Sequence, residues 1–335
     1  MLVTVLGGMA SSVATASAYT FNYAPANLPN LGAQVIGVNN NGDLAGTFSP
    51  DGAANYYGFV NNTSFTGPKP NAKIAYNTSV NGINNNLQIA GEMVQGNALV
   101  GFYSSSTTYA AATTKVIVDT KLDGGTHAGS TTVNGLNDNG LVVGYHNPFG
   151  AALEYYSFIY NSANNTYKEI LPAGITSGKV QAFGINDSGT VVGQYAVNSS
   201  SPSQGFIYTA TGDWSTFSDP NANSLGTFPT AINNNGDITG YYFDAVTGNS
   251  YGFVYSASTN SFTNVSLQSP LSATAAIVPF GINDNGVIVG QITYQNDTNF
   301  EATPFFALPV PSSVYLMTTG LLALSARRLT KTLVS

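Results

Sequence analysis

The sequence predicts an all-β fold, a six-bladed β-propeller of four-stranded blades. Three observations predict it: what replaces charge in the composition, a ten-residue pattern that recurs six times, and an apolar-aromatic run after each recurrence. Charged residues make up 7% of the 335, against roughly 25% in an ordinary soluble protein. The apolar share of 43% still leaves material for a core, which excludes a disordered chain. In place of charge stand 36 glycines, 37 asparagines and 20 tyrosines. These are turn formers and a strand-favouring aromatic, and together they demand many short strands joined by tight turns.

The pattern reads GVNNNGDLAG from Gly37, GINNNLQIAG from Gly82, GLNDNGLVVG from Gly135, GINDSGTVVG from Gly184, AINNNGDITG from Ala231 and GINDNGVIVG from Gly281. Successive starts are 45, 53, 49, 47 and 50 residues apart, the period of a four-stranded propeller blade. An open β-solenoid is the alternative architecture, but these units are too long and too variable for short coils. Asn fills the third position each time (Asn39, Asn84, Asn137, Asn186, Asn233, Asn283), and Gly fills the tenth (Gly46, Gly91, Gly144, Gly193, Gly240, Gly290).

Each decapeptide has the character of a hairpin. Apolar positions flank an Asn/Asp/Gly turn able to take positive φ, and Asn can bond its own backbone two residues on. The glycines at positions one and ten mark places where a neighbour comes close, near the axis of a radial array. The runs at Tyr57, Val100, Tyr156, Gln204, Tyr251 and Pro304 supply third strands, and segments around Phe65, Val116, Tyr167, Trp214 and Phe262 supply fourth strands. The sixth unit has no fourth strand after Leu308. Residues 19–25, YTFNYAP, have the right character to complete the last blade, close the ring and remove its exposed sheet edges.

The two ends read as export signals. LVTVLGGMA from Leu2, followed by small residues ending at Ala16-Ser17-Ala18, has the form of a secretory signal peptide cleaved after Ala18, so residues 1–18 are expected to leave. No basic residue precedes the apolar run, which points to a start codon upstream. Residues 309–335 combine Pro309 and Pro311, an apolar stretch from Val314 to Ala326, and a basic stop at Arg327 and Arg328. That stretch is expected to form a short helix and is shorter than the ~20 residues of an ordinary membrane span.

The tail resembles the PEP-CTERM sorting signal of Gram-negative bacteria, with Val310 where that signal usually has Glu. The resemblance implies an exosortase-type processing enzyme as partner, transient insertion in the inner membrane with the Arg pair cytoplasmic, and delivery to the exterior or the cell surface. A plain C-terminal membrane anchor is the alternative. The decapeptide over residues 30–308 likewise resembles the HAF repeats of secreted bacterial proteins. That implies a secreted, propeller-like protein and assigns no activity.

Composition removes several chemistries from residues 19–308. This segment carries six lysines, no arginine and all sixteen acids, a formal balance of −10, which disfavours nucleic acid and anionic membrane as partners. A sialidase-type propeller enzyme clamps a carboxylate with arginines, and none is present here. The chain has no cysteine, so disulfides and thiolate metal sites are excluded. His127 and His146 are too few for a zinc site, and the turn acids Asp43, Asp138, Asp187, Asp237 and Asp284 lack the spacing of a calcium loop. No metal and no cofactor is expected.

There is also no nucleophile elbow and no phosphate loop, so the protein reads as a non-enzyme. Binding is expected on the rim opposite the Asn turns, where loops differ from unit to unit on a rigid frame. Tyr145, His146, Phe149, Glu154, Tyr242, Asp244 and Tyr294 could stack on and hydrogen-bond sugar rings there. The expected function is a secreted or surface propeller that binds exopolysaccharide or another matrix component. Two alternatives stay open: a glycan-cleaving enzyme using a carboxylate pair, and a purely structural protein–protein module.

Overall fold

The decapeptides fold as hairpins because their asparagines organise the turn from within. Asn39 Oδ1 accepts the backbone N–H groups of Asn41 and Asp43 at 3.0 and 2.8 Å. Asn84, Asn137, Asn233 and Asn283 repeat the arrangement. Three residues further on, the chain takes positive φ at Gly42, Gly140, Gly189, Gly236 and Gly286, the conformation glycine adopts at little cost. The second repeat has no glycine there, and Leu87 is held at φ 57° instead.

The computed structural model describes residues 19–23, 33–49, 55–66, 77–95, 98–118, 129–148, 154–171, 179–198, 200–266, 276–295 and 300–310. Outside the described residues lie the expected signal peptide with Ala18, Phe149, and the tail from Pro311 through the expected helix to Arg327 and Arg328.

β1 (Tyr19–Tyr23) comes first in the chain. Blade 1 comprises β2 (Gln34–Val38), β3 (Leu44–Phe48), β4 (Tyr57–Val60) and β5 (Thr63–Phe65). Blade 2 comprises β6 (Thr78–Ile83), β7 (Ile89–Gln95), β8 (Ala98–Ser104) and β9 (Thr114–Ile117). Blade 3 comprises β10 (Gly129–Leu136), β11 (Leu141–Pro148), β12 (Tyr156–Asn161) and β13 (Thr166–Ile170). Blade 4 comprises β14 (Lys179–Ile185), β15 (Val191–Ala196), β16 (Gln204–Tyr208) and β17 (Trp214–Phe217). Blade 5 comprises β18 (Ala222–Ile232), β19 (Asp237–Asp244), β20 (Ser250–Ser256) and β21 (Ser261–Val265). Blade 6 has three consecutive strands, β22 (Ala276–Ile282), β23 (Ile288–Gln295) and β24 (Phe300–Pro309), and β1 completes it.

Every sheet is antiparallel, and the last runs β1-β24-β23-β22. Pairing from Tyr19↔Pro309 to Tyr23↔Phe305 closes the ring between the two ends, as the sequence predicts, and β24 runs one residue beyond Leu308. The first strand of each blade packs against the first strand of the next, and β22 packs against β2. The result is a six-bladed propeller with those strands around its axis.

At every tenth-position glycine a Cβ would meet a carbonyl oxygen of the first strand at 1.9–2.3 Å. Each stands directly opposite a phenylalanine of the third strand: Gly46↔Phe59, Gly91↔Phe102, Gly144↔Phe158, Gly193↔Phe206, Gly240↔Phe253 and Gly290↔Phe305. All six rings are at most 1% exposed, each stabilising the fold by roughly 1.5–3 kcal/mol. A Cβ at Gly193 would meet the Gln181 carbonyl oxygen at 2.0 Å and the Phe206 ring at 2.8 Å. The first-position glycines serve blade packing instead: a Cβ at Gly135 would stand 2.7 Å from the Phe183 carbonyl of the next blade.

Two closed rings of hydrogen bonds bind the six blades at the turn end of the axis. In the inner ring, Nδ2 of each third-position Asn donates to the backbone carbonyl of its counterpart in the next blade. The series runs from Asn39 to Asn84, Asn137, Asn186, Asn233 and Asn283 and back to Asn39, at 2.9–3.2 Å. In the second ring the fourth position does the reverse. The backbone N–H of Asn40, Asn85, Asp138, Asp187, Asn234 and Asp284 each donates to the side-chain oxygen of the next member. The third-position asparagines are 3–6% exposed, so these bonds satisfy buried amides that would otherwise be costly.

Candidate functional site

Beside the turn ring, Val38, Ile83, Leu136, Ile185, Ile232 and Ile282 form a collar of six aliphatic side chains, each 5–8% exposed. Beyond it, on the side away from the turns, the axis widens into a cavity of about 460 Å³, within the roughly 300–1,000 Å³ range of small-molecule sites. The backbone itself makes this widening. In every blade the register between first and second strand slips by one residue just before the decapeptide. A bulge of this kind re-aims one side chain. The six bulged residues, Ile36, Asn81, Asn134, Phe183, Thr230 and Phe280, all line the cavity.

The lining is not sixfold. Blades 2 and 3 contribute Asn81, Glu92, Thr132 and Asn134; blades 5 and 6, across the axis, contribute Phe228, Pro229, Thr230, Tyr241 and Phe280. Blades 1 and 4 each supply one residue of either kind, Gln34 with Ile36 and Gln194 with Phe183. The cavity thus has a polar half facing an aromatic half. Phe228 and Tyr241 stack with centroids 5.0 Å apart and planes at 12°. In the polar half Asn81 and Asn134 each donate an N–H to the next blade, to the carbonyls of Val133 at 2.7 Å and Ala182 at 2.8 Å. Gln34 donates to Gln291 Oε1 at 3.2 Å, and Gln194 donates to Gln181.

Among the described residues Glu92 is the single carboxylate of this lining, and no described Lys, Arg or His shares the lining with it. Burial pushes its carboxyl above the ordinary value, opposed by a hydrogen bond from Thr132. Tyr145 of blade 3 lies next to this group. Burial raises its phenol, a hydrogen bond with Thr132 opposes the rise, and the negative charge of Glu92 adds to it. Tyr145 therefore stays a neutral hydroxyl. Among the described residues no group of three or more His, Asp or Glu side chains is placed to hold a metal ion.

The rim residues singled out in the sequence do not gather into one site. Tyr145 turns toward the axis and makes edge contacts with Tyr155 and Phe183 at 5.2 and 6.4 Å. His146, the next residue of the same strand, points the other way. It is 1% exposed and lines a separate cavity of about 300 Å³ between blades 2 and 3, beside Leu99, Val116 and Thr131. Tyr242 is 3% exposed, stacks on Tyr251, and has its hydroxyl pushed up to about 12 by burial and by Asp219 and Asp244. His146 and Tyr242 are therefore packed inside the blades, and neither lines the axial cavity.

Glu154 is exposed and accepts a hydrogen bond from the Tyr156 hydroxyl at 3.2 Å. Asp244 caps the turn after β19, accepting from the backbone of Val246 and Thr247 at 3.0 and 2.7 Å. Tyr294 lies in β23, paired with Glu301. Sequence reasoning missed Glu92, Thr132, Phe228, Tyr241 and the bulged residues as a group. The signal was present in their repeat positions: three residues before the decapeptide, immediately before it, and immediately after it.

No protein-family model and no curated protein matches the chain. Among solved structures, Trypanosoma rangeli sialidase aligns over 85% of this chain and 52% of its own length, at 9% identity and a TM-score of 0.40. The chain thus spans about half the length of that structure, and a likeness so distant says nothing of activity.

Proposed function

We propose that the protein is an exported, non-enzymatic propeller of the cell surface or matrix that binds extracellular polysaccharide through its axial cavity. The observation that carries this reading is the two-sided lining. Aromatic and aliphatic side chains on one wall suit the C–H face of a sugar ring, and amides, hydroxyls and one carboxylate on the other suit its hydroxyl groups. The candidate site thereby moves from the rim loops to the axis, with Tyr145 the one rim candidate beside it. A carboxylate-pair hydrolase needs two carboxyls flanking the bond, and among the described residues the cavity lining supplies one.

Export is supported by where the expected cuts would fall. Cleavage after Ala18 would leave Tyr19, which lies in β1, as the new terminus, and the Pro-rich segment begins at Pro309, the last residue of β24. The two residues are register partners, so both trimmed ends would lie at one corner of blade 6. An exosortase-type enzyme and the inner membrane are the partners this delivery requires.

The test is calorimetric titration of the purified protein with oligosaccharides from bacterial exopolysaccharides, together with chromatography of the sugars afterwards. Saturable binding with intact sugars is expected. Shortened products would convert the protein to a glycan-cleaving enzyme, and failure of every sugar to bind would leave the structural-module reading.

A further inference from the structure

Among the described residues, the axial cavity holds a carboxyl group that no cation answers. Among its lining residues Glu92 has neither a cation nor a second acid for company, and its hydroxyl partner is Thr132. Taking a carboxylate out of water is costly unless it is paired. The surrounding amides carry no charge to pair with it: Asn81, Asn134, Gln34 and Gln194 each direct one of their two N–H groups to a protein acceptor, and Asn81 Oδ1 already accepts from Ser79. A carboxylate so placed suits a ligand that brings donors and positive charge. An ammonium group has three N–H donors and no acceptor, and it also favours the aromatic faces opposite. Uronic acids and other anionic sugars would face Glu92 with like charge.

We propose that the cavity selects a sugar bearing a free amine, a non-acetylated amino sugar, with Glu92 as the counter-ion of its ammonium group. The proposal rests on the reading of the cavity as a saccharide site. The stacked pair of Phe228 and Tyr241 receives the ring face, and the Glu92 wall receives the amine. Acetylation of that nitrogen would remove the positive charge that Glu92 would pair with. Binding would also draw the Glu92 proton off under mildly acid conditions, because an opposite charge favours the ionised carboxylate.

The full chain is titrated calorimetrically with glucosamine, N-acetylglucosamine, glucuronic acid and methylammonium. Glucosamine should bind at least about tenfold more tightly than N-acetylglucosamine, the effect of one charge-assisted hydrogen bond, and methylammonium alone only weakly. Glu92→Gln should abolish the preference, lowering glucosamine affinity at least about tenfold, to the level of N-acetylglucosamine in the same variant. In acid buffers of different ionisation enthalpy, glucosamine binding should release a proton in the wild type and none in the variant.

Thr230→Phe places in blade 5 the residue that blades 4 and 6 already carry at that bulge, and Ile36→Phe does the same in blade 1. Either should fill the cavity and remove binding, and one suffices if the other does not fold. Equal affinities for the two sugars, or a preference that survives Glu92→Gln, would overturn the amine proposal and leave the saccharide reading standing. Methylammonium binding as tightly as glucosamine would overturn it in favour of an amine site without sugar recognition. Failure of all four compounds to bind would overturn both readings.

Discussion

The two ends of the axis are built from the same six hairpins and treat an ionised carboxylate in opposite ways. At the turn end Asp284 sits in the second hydrogen-bonded ring. Burial alone would raise its carboxyl, but donors from Asn40 at 2.7 Å and Asn234 at 2.7 and 3.0 Å hold it below the ordinary value. At the cavity end Glu92 is raised by burial, and its Thr132 hydrogen bond only partly offsets this. One end answers its charge with neighbours from the next blades, while the other leaves a charge facing a void. Repetition belongs to the part of the ring that holds the blades together, and departure from repetition belongs to the part that can hold something else. On the proposed reading, stability and recognition are separated along one axis by the aliphatic collar.

The most severe way to break this comparison is to open the turn ring. Asn137 is 3% exposed, donates to the Asn186 carbonyl at 2.9 Å, and accepts from the backbone of Asn139 and Leu141 at 3.1 and 2.9 Å. Asn137→Ala removes all three bonds and leaves buried backbone groups without them, at a cost of about 3 kcal/mol. Urea unfolding measures it. The comparison sharpens if sugar affinity below the transition stays at the wild-type value, because the ring then supports the fold without shaping the cavity. A smaller effect of opposite sign is expected at the one turn that breaks the pattern. Leu87 takes positive φ where five repeats have glycine and is 42% exposed. Leu87→Gly should therefore relieve backbone strain and stabilise by about 1 kcal/mol, read as a higher urea midpoint at unchanged slope.

These positions differ in how far the sequence reveals them. The asparagines, the glycines, the strand order and even the closure by residues 19–23 were legible, because each answers a backbone requirement that recurs in every blade. The turn, the close approach and the unpaired edge were visible as pattern. What the tenth-position glycines make room for was not visible until each was seen against a carbonyl oxygen of the first strand. The cavity was illegible for a related reason. Its character comes from blades 2 and 3 facing blades 5 and 6, a relation between residues more than ninety apart, as with Asn81 and Phe228, that no local window contains. His146 and Tyr242 look like surface aromatics in a variable loop. The alternation of β11 and β19 instead turns Tyr145 and Tyr241 toward the axis and their neighbours His146 and Tyr242 into the blades.

The finest test sets the two carboxylates against each other by pH. A carboxyl whose folded-state pKa is raised, as at Glu92, burdens the fold only once it ionises. Stability is undiminished below the unfolded-state value and is lost as pH rises through the folded-state value. Glu92→Gln should therefore match the wild type in acid and become the more stable protein as pH rises above the carboxylate range. A carboxyl whose pKa is lowered, as at Asp284, contributes stability above the unfolded-state value and loses it as pH falls through the folded-state value. Asp284→Asn should be the less stable protein at neutral pH, with the gap closing in acid. Urea midpoints of the two variants, taken between about pH 3 and pH 7, should diverge from the wild type in opposite directions as pH rises. Parallel curves would mean that the cavity end answers its charge as fully as the turn end does, and the separation of binding from stability along the axis would fall with it.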